Sequence, residues 1–144
     1  MNSKSVKNPK SPKIEEFKNL FKIEKNKLSL KPEIKLSNNY GVYIFFLSKE
    51  INRLRGKTDI LYIGVATSGL RNRINRYLNP DKKQKTNFRI KKFFEKLLSG
   101  GESINLLFIE CCNKEEAKKL EDELLKKFEE DHWELPPFNR QGES

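Results

Sequence analysis

YGVYIFFLSKEINRLRGKTDILYIGVATSGLRNRINRY, residues 40–77, is the stretch on which the reading of this chain turns. Two short apolar runs stand in it, Val42–Leu47 and Ile60–Val65, with Gly41 opening the first and Gly64 near the close of the second. Both are rich in β-branched and aromatic residues and read as strands, and each carries a tyrosine, Tyr43 or Tyr62. Thr67-Ser68-Gly69 reads as a turn. From Leu70 to Leu78 apolar residues recur at helical spacing: Leu70, Ile74, Tyr77 and Leu78 share one face, Arg71 and Arg73 flank it, and Arg76 lies opposite. A strand pair that delivers tyrosines beside a helix that delivers arginines is a chemically suggestive arrangement.

Working outward, the first strand is expected over Gly41–Ser48 and the second over Ile60–Ala66. Lys49–Asp59 between them is a basic stretch longer than an ordinary hairpin turn, and so reads as a function-bearing insertion or a short helix. Downstream, Asn79-Pro80-Asp81 is a stop, Lys82 to Lys85 form a basic run, and Phe88–Leu98 is an amphipathic helix closed by Gly100-Gly101. Ile104–Cys111 reads as a third, buried strand. Asn113 with Glu116 gives a capping-box-like start to a helix running to about Glu130, and the prolines keep residues 132–140 extended. Upstream, residues 1–13 are nearly all Lys, Ser, Asn and Pro and are expected to form a mobile basic tail. Ile14, Phe17, Leu20 and Phe21 suggest a helix start, and Leu28–Leu36, interrupted by Pro32, a connector. Residues 14–144 are expected to form a single domain.

The chain has 144 residues, of which 35% are charged, and a formal net charge of +10. Such an excess favours a polyanionic partner. No run approaches the roughly 20 apolar residues needed to span a bilayer, so a cytoplasmic protein with no membrane partner is expected. Cys111 and Cys112 are adjacent and only one histidine is present, which tells against a four-ligand zinc site and suits free thiols.

Among individual residues, Glu121 is the sharpest signal. On a helix, Ala117, Leu120, Leu124, Leu125 and Phe128 define an apolar stripe, and Glu121 falls within roughly 40° of its centre. A carboxylate aimed at the core side needs a partner, either a basic side chain or a metal. Either Arg71 or Arg73 could reach along the sheet to a phosphate, which a guanidinium meets with a fixed fork of donors. A strand tyrosine is usually core, but two on paired strands beside an acid and an arginine invite a chemical role. To act as a base near neutrality, a phenol needs a nearby cation or metal-bound water.

Taken in order, Gly41-Val42-Tyr43, Tyr62-Ile63-Gly64, Leu70-x-x-Arg73, Ala117-x-x-Leu120-Glu121 and Pro137-Phe138-Asn139 resemble a GIY-YIG nuclease domain, over about Tyr40 to Arg140. The resemblance implies a small α/β domain of the α+β kind, a three-stranded antiparallel sheet flanked by helices. It also implies a divalent-metal-dependent endonuclease that hydrolyses DNA phosphodiesters with one Mg²⁺ or Mn²⁺ per site. By position, Glu121 would be the metal ligand and Arg73 would orient or neutralise the scissile phosphate. Tyr62 or Tyr43 would activate water while the other holds the phosphate or that water, and Asn139 would brace the site, with Gly41, Gly64 and Tyr77 in support. Val65 follows the YIG where similar domains often carry lysine, and Tyr77 stands where many carry histidine.

With little room for a separate sequence-reading domain, DNA contacts are expected from the loop (Arg53, Arg55, Lys57), the helix (Arg71, Arg76) and the basic segment (Lys82, Lys83, Lys85), mostly to phosphates. Monomer and transient dimer both stay open. The alternative is a nucleic-acid-binding module that keeps the fold without cutting.

Overall fold

In the computed structural model, which describes residues 13–140, the chain runs β1 (Ile14–Phe17), β2 (Phe21–Glu24), β3 (Lys27–Leu30), β4 (Gly41–Asn52), β5 (Lys57–Ala66), α1 (Leu70–Leu78), α2 (Lys85–Ser99), β6 (Ile104–Glu110) and α3 (Lys114–His132). The expected tail, apart from Lys13, lies outside the described residues, as do residues 141–144. No helix among the described residues is long and apolar enough to cross a membrane.

The main sheet is antiparallel with strand order β1-β6-β4-β5, and β2 and β3 form a separate hairpin. The expected three strands are thus its inner edge and centre, and β1 adds a fourth along the free side of β6, with Ile14 opposite Ile109 and Phe17 opposite Leu106. This corrects both the three-stranded count and the helix expected from Ile14 onward. The connector expected from Leu28 begins as β3, joined to β2 by Lys25 and Asn26, both at positive φ as a tight two-residue hairpin turn requires.

The stretch Lys49–Asp59 is neither an insertion nor a helix. Lys49–Asn52 continue β4 and Lys57–Asp59 begin β5, with Ile51 opposite Thr58 and Asn52 opposite Lys57. Only Arg53–Gly56 turn the chain, Gly56 at φ +71. The end of α3 clamps that tip: Arg55 N donates to His132 O at 3.2 Å, Leu54 N to Glu134 Oε2 at 2.6 Å, and the Arg53 guanidinium reaches Leu135 O at 2.9 Å and Glu134 Oε1 at 3.0 Å.

Because side chains alternate along a strand, the central strand β4 feeds two cores. Tyr43, Phe45 and Leu47 join Tyr62, Leu106 and Phe108 beneath α1, α2 and the β2–β3 hairpin. Val42, Ile44 and Ile63 meet Leu120, Leu124, Leu125 and Phe128 of α3 on the other side. The first core is largely aromatic, with Phe45 and Phe94 edge-on at 4.8 Å and Tyr77 against Phe45 at 5.6 Å. Each ring buried there contributes roughly 2–3 kcal/mol, enough to fix α1 and α2 on the sheet.

Candidate active site

β4 and β5 present Tyr43 and Tyr62 on the α1 side of the sheet, with ring centroids 6.0 Å apart. Gly64 is paired directly opposite Tyr43, and a Cβ there would stand 2.5 Å from the phenol carbon Cζ and 2.6 Å from its oxygen. The glycine of the second triplet therefore lets the Tyr43 ring lie across β5. Gly41 does the same for β6, where a Cβ would strike the Ile109 carbonyl and the Phe108 ring.

α1 brings the arginine. Its first turn is docked on residues 37–39: Leu70 N donates to Asn39 O, Arg71 N to Ser37 O and Asn72 N to Asn38 Oδ1. Gly69 precedes it at φ +101, against Asn38, where any side chain would clash. Its N-terminal amides are thereby satisfied within the chain. One turn on, Arg73 lays its guanidinium over the Tyr77 ring at 4.6 Å, the i, i+4 neighbour on the same helix. Tyr77 hydroxyl and Tyr43 hydroxyl share a hydrogen bond of 2.7 Å inside the core.

Sequence reasoning missed Asn87 on α2. It is only 4% exposed, and its Oδ1 accepts from Arg73 Nη1 at 3.1 Å. The Tyr77 ring and the Asn87 amide thus hold the guanidinium.

Burial is the main reason that the Tyr43 phenol is held well above its usual range; Tyr62 adds to this and Arg73 opposes it. Burial likewise drives Tyr77 upward, with Tyr43 next. For Arg73 burial opposes the charge, yet the surrounding phenols outweigh it and the net shift is upward. Near neutral pH the site therefore holds neutral Tyr43 and Tyr77 phenols against a firmly protonated arginine.

Tyr43, Tyr62 and Arg73 floor an open cleft of about 530 Å³, with Tyr77 buried behind them. Its walls are Val65 near the end of β5, Thr67 and Ser68 after it, Arg73 and Arg76 from α1, Lys83 to Asn87 at the start of α2, and Lys118 from α3. Among the described residues five cations and no carboxylate line it. Of the expected phosphate contacts, Arg76, Lys83 and Lys85 are in that lining, while Arg71 and Lys82 are exposed outside it. Arg53, Arg55 and Lys57 are at the hairpin tip, about 16 Å along β5 from Tyr62. There Arg53 is committed to Glu134, and Arg55 lies over the Trp133 ring at 5.5 Å.

Glu121 is not in the lining. It is half-buried on the flank of α3 that carries Lys118, one helical turn further along. Burial, then the neighbouring Asp122, raises its carboxyl above the usual range, and Lys118 only partly offsets this. No ion pair or hydrogen bond among the described residues closes on it. Asn139 binds the outer edge of β5 through both ends of its amide: Ile63 N donates to Oδ1 at 3.0 Å and Nδ2 donates to Ile63 O at 2.9 Å. Beside it Phe138 N donates to Leu61 O at 2.9 Å.

The family model of the GIY-YIG catalytic domain matches residues 39–134, two thirds of the chain. The chain belongs to the GIY-YIG family. No curated protein and no solved structure matches it. The Gly41-Val42-Tyr43 and Tyr62-Ile63-Gly64 triplets of this GIY-YIG domain are the two strands that floor the cleft. Asn139 falls past the matched range, yet its partner is the central residue of the second triplet. The family is one of nucleases, which makes nucleic acid the substrate class and accords with the cationic lining.

GIY-YIG nucleases generally use a divalent metal. Among the described residues no three His, Cys, Asp or Glu side chains cluster. A hard cation held by one carboxylate, with water and substrate phosphate completing its shell, needs no such cluster, and the desolvated, unpaired Glu121 has the right chemistry for it.

Proposed function

We propose that this domain is a divalent-metal-dependent endonuclease acting on DNA phosphodiesters. The observation that carries the reading is the meeting of Tyr43, Tyr62 and Arg73 at the floor of one cleft walled by cations, with Arg73 held over the buried Tyr77 ring and by Asn87. Arg73 takes the scissile phosphate, presenting a fork of donors already oriented before substrate arrives. Asn87 orients that fork through a neutral acceptor, leaving the positive charge for the phosphate.

Tyr62 takes up the proton of the attacking water as a phenolate, its own proton having left to solvent through the open cleft beside the Arg73 guanidinium. Tyr43, whose phenol burial keeps protonated, serves with Tyr77 as the hydrogen-bonded wall beside Arg73. Mg²⁺ or Mn²⁺ held by Glu121 would supply neutralisation of the charge growing on the phosphate oxygens. Asn139 braces the Ile63 segment beneath.

A second reading, a binding module that does not cut, is favoured by one observation: Lys118 rather than Glu121 lines the cleft. Incubation with supercoiled plasmid and branched oligonucleotides, with Mg²⁺, Mn²⁺ or chelator, separates the two. Metal-dependent cleavage that falls by about 10²–10³-fold in Arg73→Ala supports the enzyme. Binding with no cleavage under any metal supports the module.

A further inference from the structure

We propose that the outer face of α2 is a stacking platform for an unpaired nucleotide strand leaving the cleft. The preferred DNA then carries a single-stranded segment beside the phosphate at Arg73; this second statement rests on the nuclease reading, the platform itself does not.

A groove of about 450 Å³ runs along α2, lined by Lys85, Phe88, Arg89, Lys92, Phe93 and Lys96. Their spacing puts them on one helix face, a stripe roughly 16 Å long. Lys85 lines both this groove and the cleft, so the two adjoin at that side chain. Among the described residues the groove is lined by four basic side chains and no acid, with Arg89 already donating to Phe138 O at 3.2 Å. Ile90 and Phe94 of the same helix are fully buried, whereas Phe88 is 38% exposed, turned away from the core and set between Lys85 and Lys92. Phe93 is held in place by stacking on Phe138 at 4.7 Å and 16°.

A ring among cations selects its occupant by chemistry. Phosphates of any nucleic acid would meet Lys85, Lys92 and Lys96, but the exposed ring is useful only to a partner that offers a flat face. In a duplex the base faces are covered by their neighbours. An unpaired base has one free, and stacking on an aromatic side chain tolerates any base. The platform thus recognises the form of the DNA and not its sequence, in keeping with a lining that offers charge and a ring rather than base-reading forks.

The test uses the full chain with chelator present, so that nothing is cut. Binding is followed by fluorescence anisotropy on a blunt duplex and on the same duplex with a short thymine tail. Wild type is expected to prefer the tailed DNA. Phe88→Ala should weaken tailed binding by about 5- to 100-fold and leave the blunt duplex within about twofold, while Phe88→Trp keeps the preference. Lys92→Gln, a change at an exposed position, should flatten the salt dependence of tailed binding by about 0.7 in log–log slope. No preference for the tail in wild type, or an equal loss on both DNAs in Phe88→Ala, overturns the platform. Cleavage of the same two DNAs with Mg²⁺ tests the nuclease reading separately: a tail preference without any cutting sinks only that reading.

Discussion

Asn87 gives Arg73 an acceptor that carries no charge. Asn87→Asp would keep an oxygen in the same place but neutralise the guanidinium. The expected result is a 10- to 100-fold rise in KM for DNA with thermal stability unchanged or higher; a purely structural asparagine would leave KM alone. The buried hydroxyl pair makes a second case. Tyr43→Phe leaves the Tyr77 hydroxyl without a partner and should cost about 1–3 kcal/mol in urea unfolding, whereas Tyr43→Phe with Tyr77→Phe should cost less than the two singles added. Glu121 sits in tension with stability. Its raised carboxyl means that the folded chain binds the proton more tightly than the unfolded one, so the charge is a burden above the folded pKa that fades as pH falls toward about 4. In metal-free buffer Glu121→Gln should therefore raise Tm at pH 7 by an increment that vanishes near pH 4; a gain that persists there removes the argument. Glu121 was legible in the sequence as an acid beside an apolar stripe. Asn87 was legible by the same test, standing three residues before Ile90 and seven before Phe94, but the expected helix began at Phe88, one position too late to include it.

At the scale of elements, β5 is an edge strand whose outer rim is sealed by the chain after α3. Asn139→Ala should make the Ile63 amide exchange with deuterium far faster than its β5 neighbours that donate to β4, read by NMR; unchanged protection would mean that Asn139 is not what holds that edge. β4, β5, α1, α2, β6 and α3 were readable because apolar period, glycine punctuation and the Asn113 cap all agreed, the cap accepting from Glu116 N at 2.9 Å. The front of the chain was not. Apolar residues at 14, 17, 20 and 21 suit a helix as well as two short strands, and what decides is tertiary: β6 offers an unpaired edge to β1, and Asn19 N finds Asn105 Oδ1 at 2.7 Å. The Lys25-Asn26 turn lacks the glycine that would have announced a hairpin. The basic stretch 49–59 misled because its length was read from its charges, while the strands simply run on through them.

For the whole molecule, the net charge of +10 becomes meaningful through its placement. Five cations line one cleft, and about five phosphates neutralised there would give a slope near −4.5 for the logarithm of affinity against that of salt concentration. Charge spread evenly over the surface would give a shallower one, and a slope near −2 in equilibrium titrations would count against the cleft as the binding surface. The sealing of β5 also bears on how the protein is handled. β1 occupies one border of the sheet and the stretch through Asn139 the other, so the two ends of the described chain depart from opposite borders. A bulky fluorophore attached at Asn139 would therefore crowd the rim beside the Tyr62-Ile63-Gly64 triplet, whereas the same dye at Glu15 would stand on the opposite border of the sheet.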